Sequence, residues 1–153
     1  MSGKRSAQFR CPQCGYHAPS NDDLAPDAFF RPWHVLHGRR AVRSYLASLG
    51  REAHEWLLAL YVDEGLQLLS VETVKQGDVS GVDVPRWHLL SRGKALGAAG
   101  FILAHNHPSG DARPSQADIE LTCRLAHVSR ELDIPLLDHL VIAGEEIRSV
   151  GYW

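Results

Sequence analysis

Apolar residues first repeat with helical spacing at Val42, Tyr45, Leu46 and Leu49, at i, i+3, i+4 and i+7, and Gly50 stands where a helix would end. This predicts an amphipathic helix over 39–49. The period then changes: Trp56 to Val62 is an unbroken apolar run, Asp63-Glu64-Gly65 is a turn signal, and Leu66 to Val74 is a second β-rich run. A hairpin is expected, buried on at least one face. Pro85 suits the first turn of a helix over 85–98, whose apolar surface comes from Trp87, Leu89, Leu90, Ala95, Leu96 and Ala98. Gly93 and Gly97 weaken that helix. GFILAH at 100–105 reads as a third strand, followed by a polar loop, NHPSGDARP. Leu121, Leu125, Val128 and Leu132 mark a long helix over 116–132, signed at its start by Ser115. Leu136 to Ala143 and Glu146 to Val150 complete the pattern as two strands around Gly144. The elements interleave without a strict βαβ rhythm, so the fold class is α/β (α+β), a mixed sheet sandwiched by helices.

A chain of 153 residues is long enough for one core and too short to need two. With 44% hydrophobic and 22% charged residues it is neither disordered, nor collagen-like, nor a coiled coil. The first thirty or so residues differ in texture, being rich in Pro, Ser, Asn and Asp, and read as an arm. Charge divides in the same way. Residues 1–51 carry 8 Lys/Arg against 3 Asp/Glu, and residues 52–153 carry 8 against 15. An acidic body is a poor phosphate binder, so any nucleic-acid contact falls to the basic head. The run from Trp56 to Val62 is far short of the roughly 20 apolar residues that span a bilayer. MSGKRSAQFRC has positive charge with no apolar core behind it, unlike a secretory signal. Three cysteines cannot all pair within the chain, which suits a reducing cytoplasm.

Candidate chemistry concentrates in HNHPSGDARPSQAD, which holds His105, His107, Ser115 and Asp118. Histidines at i and i+2 of an extended segment point the same way, so both rings can reach one ion, and a carboxylate from the next helix can close a three-ligand site. Two nitrogens and one oxygen suit zinc, and also iron, cobalt or nickel. The open fourth position would hold a water acidified by the ion. With 9 histidines, chance supplies about half of one His-x-His, and Ser115 with Asp118 also matches a helix capping box. The joint pattern, adding Pro108, Ser115 and Asp118 at their spacings, has a chance expectation on the order of one in ten thousand. Capping and ligand roles are compatible.

His-x-His-Pro, then Ser and Asp at these spacings, resembles the JAMM motif of the JAB1/MPN metalloprotease superfamily. ILAHNHPSGDARPSQADIELT, with GDVSGVDVPR at 77–86 and LLDHLVIAGEEIRSVG at 136–151, is similar to the RadC family of bacterial JAB-domain proteins, over about residues 36–153. The resemblance implies a JAB/MPN-like (cytidine-deaminase-like) fold for 36–153. It implies His105, His107 and Asp118 as ligands of one catalytic Zn2+, and Ser115 as the side chain that helps stabilise an oxyanion. EWLLALYVD resembles the family's stretch bearing the proton-shuttling Glu, which puts that role on Glu55. An acid just before an apolar run is also partly desolvated, which makes it a stronger base. Glu52, the rival, reads as a solvated helix-end residue. The implied reaction is zinc-dependent hydrolysis of a peptide or isopeptide bond in a protein substrate, with Glu55 moving the proton from water to the leaving amine. The competing class is a non-catalytic JAB-type module that recruits a nucleic acid or protein through its basic arm. The complete set of Glu, two His, Ser and Asp favours the enzyme.

Cys11 and Cys14 form half of a zinc knuckle in the arm of residues 1–35. His17, His34 or His37 could complete a second, structural ion site, and the alternative is an arm without metal. Cys123 reads as a buried thiol. His139 matches the family's Asp-His pair and reads either as a satisfied core imidazole or as support for the metal site. Two departures stand out. Trp87 follows Pro85-Arg86 where the family usually has Glu, and a short Cys-bearing segment stands where full-length members carry a helical domain.

Overall fold

The structure, a computed structural model, describes residues 40–77 and 84–150. Residues 1–39, which include Cys11, Cys14 and the first residue of the expected 39–49 helix, residues 78–83 and residues 151–153 lie outside them. The elements are α1 (Arg40–Leu49), β1 (Trp56–Val62), β2 (Leu68–Gln76), α2 (Arg86–Ala95), β3 (Gly100–Asn106), α3 (Gln116–Glu131), β4 (Leu136–Ala143) and β5 (Glu146–Ser149). They form the expected mixed sheet, in the order β2-β1-β3-β4-β5. β3 and β4 are its parallel pair, and such a pair needs a long crossover, which α3 supplies.

Two elements end where the local backbone dictates, away from their predicted bounds. β2 begins at Leu68 and not at Leu66, because Leu66 turns with φ 58 while the Asp63 carboxylate caps the Gln67 N–H at 2.8 Å. α2 ends at Ala95 and not at residue 98, because Gly97 takes φ 64 and the amides of Leu96, Gly97 and Ala98 turn back onto the carbonyls of Arg92, Lys94 and Gly93. Gly50 follows α1 as expected, but for a different reason. A Cβ there would stand 2.2 Å from the Gly144 carbonyl oxygen, so the position admits no side chain.

The sheet is covered on both faces. Leu46 and Leu49 of α1 pack on Leu58, Leu60, Ile102, Ala104, Leu140 and Ile142. On the other face, Leu89 and Leu90 of α2 and Leu121 and Leu125 of α3 pack on Leu57, Ala59, Tyr61, Phe101 and Leu103. Each fully buried leucine contributes about 1.5–3 kcal/mol relative to exposure. Central strands buried on both sides explain why β1 and β3 read as continuous apolar runs. Among the described residues no helix is long and apolar enough to cross a membrane.

Register sets the chemistry. β1 and β3 are antiparallel with Leu57 opposite His105, so two residues further out Glu55 comes across from His107 on the same face. The end of β3, the start of β1 and the N-terminus of α3 therefore meet at one edge of the molecule.

Candidate metal centre

Leu103, His105 and His107 follow one another at two-residue steps, so both imidazoles continue the face that packs against α2 and α3. Asp118, in the first turn of α3, meets them. Its Oδ1 lies 2.9 Å from His105 Nε2, its Oδ2 lies 3.2 Å from His107 Nε2, and the two Nε2 atoms are 3.0 Å apart. His105 is fully buried and Asp118 is 2% exposed, whereas His107 keeps an edge toward solvent.

The same carboxylate closes the expected capping box. Asp118 Oδ2 accepts the Ser115 N–H at 2.6 Å, and Ser115 Oγ accepts the Asp118 N–H at 3.1 Å. Burial by itself would raise the Asp118 pKa. When His105 is protonated, its hydrogen bond and charge, with the Ser115 amide and hydroxyl, outweigh it and hold the carboxyl well below the usual carboxylate range.

These residues fit a divalent metal. His107 Nδ1 is 2.8 Å from the Asp111 carbonyl oxygen, which can only accept, so a neutral His107 carries its hydrogen on Nδ1 and turns a lone pair toward His105 and Asp118. A buried carboxylate and an imidazole lone pair thus face one another at a point that a cation would satisfy. Ligands about 2.0–2.1 Å from a tetrahedral zinc stand about 3.4 Å apart, close to the 2.9–3.2 Å seen here. Glu55 also borders the point, for it and the two histidines each place a ligand atom within 4.8 Å of the others. Its backbone is held on one side by the Gly77 N–H, 2.7 Å from its carbonyl oxygen. Ser115 is exposed at the rim, and since its oxygen is the cap acceptor, its own hydrogen is left to donate outward.

The residues matching the RadC-like JAB domain family run from 36 to 151, most of the chain. The chain belongs to that family. Among curated proteins it is 39% identical over 124 residues to the UPF0758 protein YkfG of Escherichia coli K12, covering 81% of this chain and 75% of that one. It is 43% identical over 118 residues to a UPF0758 protein of Azotobacter vinelandii, covering 76% and 53%. A UPF0758 protein of Cupriavidus taiwanensis is 40% identical over 112 residues, covering 72% and 49%. The chain spans about half the length of the last two relatives.

In this RadC-like domain the six residues singled out around the motif, Glu55, His105, His107, Ser115, Asp118 and His139, are brought together. Cys11 and Cys14 lie outside the described residues, and Cys123 is buried in α3. Glu52 offers its carbonyl oxygen to the Asn106 amide at 3.3 Å. Burial, followed by the neighbouring His105, holds His139 well below the ordinary imidazole range, so this ring is neutral. Its Nε2 is 2.8 Å from His105 Nδ1 and its Nδ1 is 2.7 Å from Thr122 Oγ1.

Two neighbours escaped the reading of the sequence. Asn106, fully buried between the two histidines, takes the Trp56 N–H on Oδ1 and gives Nδ2 to the His54 carbonyl. Thr122 lies one helical turn beyond Asp118, a spacing that could have pointed to it.

Proposed function

We propose that this chain is a metal-dependent amide hydrolase, a JAMM-type peptidase or isopeptidase that holds one zinc ion on His105, His107 and Asp118. The observation that carries the proposal is the convergence of these three donors at 2.9–3.2 Å, with Glu55 beside them from the segment that enters β1. When bound, the ion would supply Lewis acidity and acidify a coordinated water. Asp118 is buried and bonded to its own helix end, which suits a fixed ligand. Glu55 is partly exposed and its carboxylate faces the imidazoles, which suits a base that takes a proton from water and returns it to the leaving amine. The outward Ser115 hydrogen donates to the scissile carbonyl oxygen as negative charge develops there. Ser115, Glu55 and His107 form the open side, where a peptide or isopeptide-linked protein would enter. The cysteine usage supports work in a reducing cytoplasm.

Glu55→Gln is the direct test. The variant should purify with the same zinc content as the wild type, and hydrolysis of peptide and ubiquitin-like isopeptide substrates should fall by about 10²–10⁴-fold. Wild-type turnover in Glu55→Gln would overturn the assignment.

A further inference from the structure

We infer that Thr122 and His139 form a directed hydrogen-bond chain that fixes the tautomer of His105 and so presents its Nε2 lone pair to the metal point. The inference rests on His105 being a ligand, as proposed above. The direction follows from the far end of the chain. The Asp118 carbonyl oxygen can only accept, and Thr122 Oγ1 lies 2.6 Å from it, so the single hydroxyl hydrogen is spent there. The same oxygen is 2.7 Å from His139 Nδ1 and can now only accept, which places the His139 hydrogen on Nδ1. His139 is fully buried, and as a neutral ring it bears its lone pair on Nε2. That nitrogen is 2.8 Å from His105 Nδ1, which must therefore be the donor. A neutral His105 with its hydrogen on Nδ1 leaves Nε2 bare, and Nε2 is the atom that faces Asp118 at 2.9 Å and His107 at 3.0 Å.

Both histidines are thus locked in the same tautomer by a backbone carbonyl at the end of the line. For His107 the carbonyl of Asp111 acts directly. For His105 the carbonyl of Asp118 acts through two side chains, so Asp118 offers its carboxylate to the metal point and its peptide oxygen to the orientation of a neighbouring ligand. Thr122 and His139 are positioning residues. Neither touches a reacting atom, and their effect is to remove a hydrogen from the nitrogen that must donate electrons.

The test reads imidazole ¹⁵N shifts in metal-free protein, above the imidazole titration range, and then zinc affinity. Wild type should show both His105 and His139 protonated on Nδ1. Thr122→Val keeps the shape of the side chain and removes the acceptor. It should move both rings toward the Nε2-protonated form and weaken zinc binding by about 10–100-fold. Thr122→Ser should restore both readouts. An unchanged nitrogen pattern in Thr122→Val, unchanged zinc affinity, or a Thr122→Ser variant as impaired as the valine form would each overturn the inference. If wild type took up no zinc, the metal reading would fail, and the nitrogen pattern alone would then decide the chain.

Discussion

Asn106 and Trp56 are joined across the mouth of the sheet, with the buried amide oxygen of Asn106 taking the Trp56 N–H at 2.8 Å. The other end of that amide reaches the carbonyls of His54 and Glu52, so one side chain from β3 holds the backbone that carries Glu55. Its neighbours on either side, His105 and His107, face the opposite layer.

Asn106→Ala should separate these duties. Backbone groups of residues 52–56 lose their partners in a part-buried setting, at a cost of about 1 kcal/mol in denaturant unfolding. Turnover should drop with it, because Glu55 is no longer held in place, while zinc affinity stays close to wild type, since all three donors sit on β3, the loop after it and α3. Loss of zinc together with turnover would show that Asn106 supports the ligands instead.

Ser115 has two duties that substitutions can split. Ser115→Ala removes the acceptor of the Asp118 N–H and should cost about 1 kcal/mol of stability, together with a turnover loss of about 10²–10³-fold. Ser115→Asp keeps a capping oxygen and should recover the stability without the turnover. Recovery of activity by the aspartate variant would remove the oxyanion role.

Zinc in excess should stabilise the wild-type fold, by about 2.7 kcal/mol at a hundred times its dissociation constant. His107→Ala and Asp118→Asn should gain no such increment, and a chelator should abolish it in wild type. Thermal unfolding with and without zinc checks all three.

Tyr61 supplies a pH signature away from the site. Burial, then the charge of Glu72, push its hydroxyl up from 10.0 to about 12 against a smaller opposing effect of Arg92, and the hydroxyl donates to the Leu89 carbonyl at 2.9 Å. The folded state therefore holds this proton more tightly than the unfolded chain. The associated stability is complete below the unfolded value of 10.0 and is lost as pH rises toward about 12. Denaturant midpoints of metal-free wild type should fall across that window, and those of Tyr61→Phe should fall less. At neutral pH the phenylalanine variant should be weaker by about 1 kcal/mol.

Much of this was legible in the order of residues, for reasons that differ from part to part. Helices α1 and α3 follow from apolar spacing, and the strands from short apolar or β-rich runs between turn signals, which in the central strands reflect burial on both faces. Their sheet order does not, because β1 pairs with both β2 and β3 through contacts that no local pattern encodes. His105, His107, Ser115 and Asp118 were visible because they lie within fourteen consecutive positions of one loop and its flanks. Glu55, fifty residues away, was found through the family resemblance and its place before an apolar run. Asn106 and Thr122 carry no such mark. A buried amide and a helix hydroxyl look ordinary until the fold shows whose backbone or ring they hold.

The antiparallel pairing of β1 with β3 has a consequence for how the reactive group is aimed. WLLALYV is apolar on both faces, so sliding it by one residue against β3 would still set apolar side chains toward both layers. The same slide would swing the Glu55 carboxylate to the α1 side and leave the three donors of the metal point where they are. Polar ties at the two ends of the strand, Asn106 on Trp56 and Tyr61 on Leu89, resist that slide. Two hydrogen bonds far apart along one greasy strand thus act as the sights by which Glu55 is trained on its target.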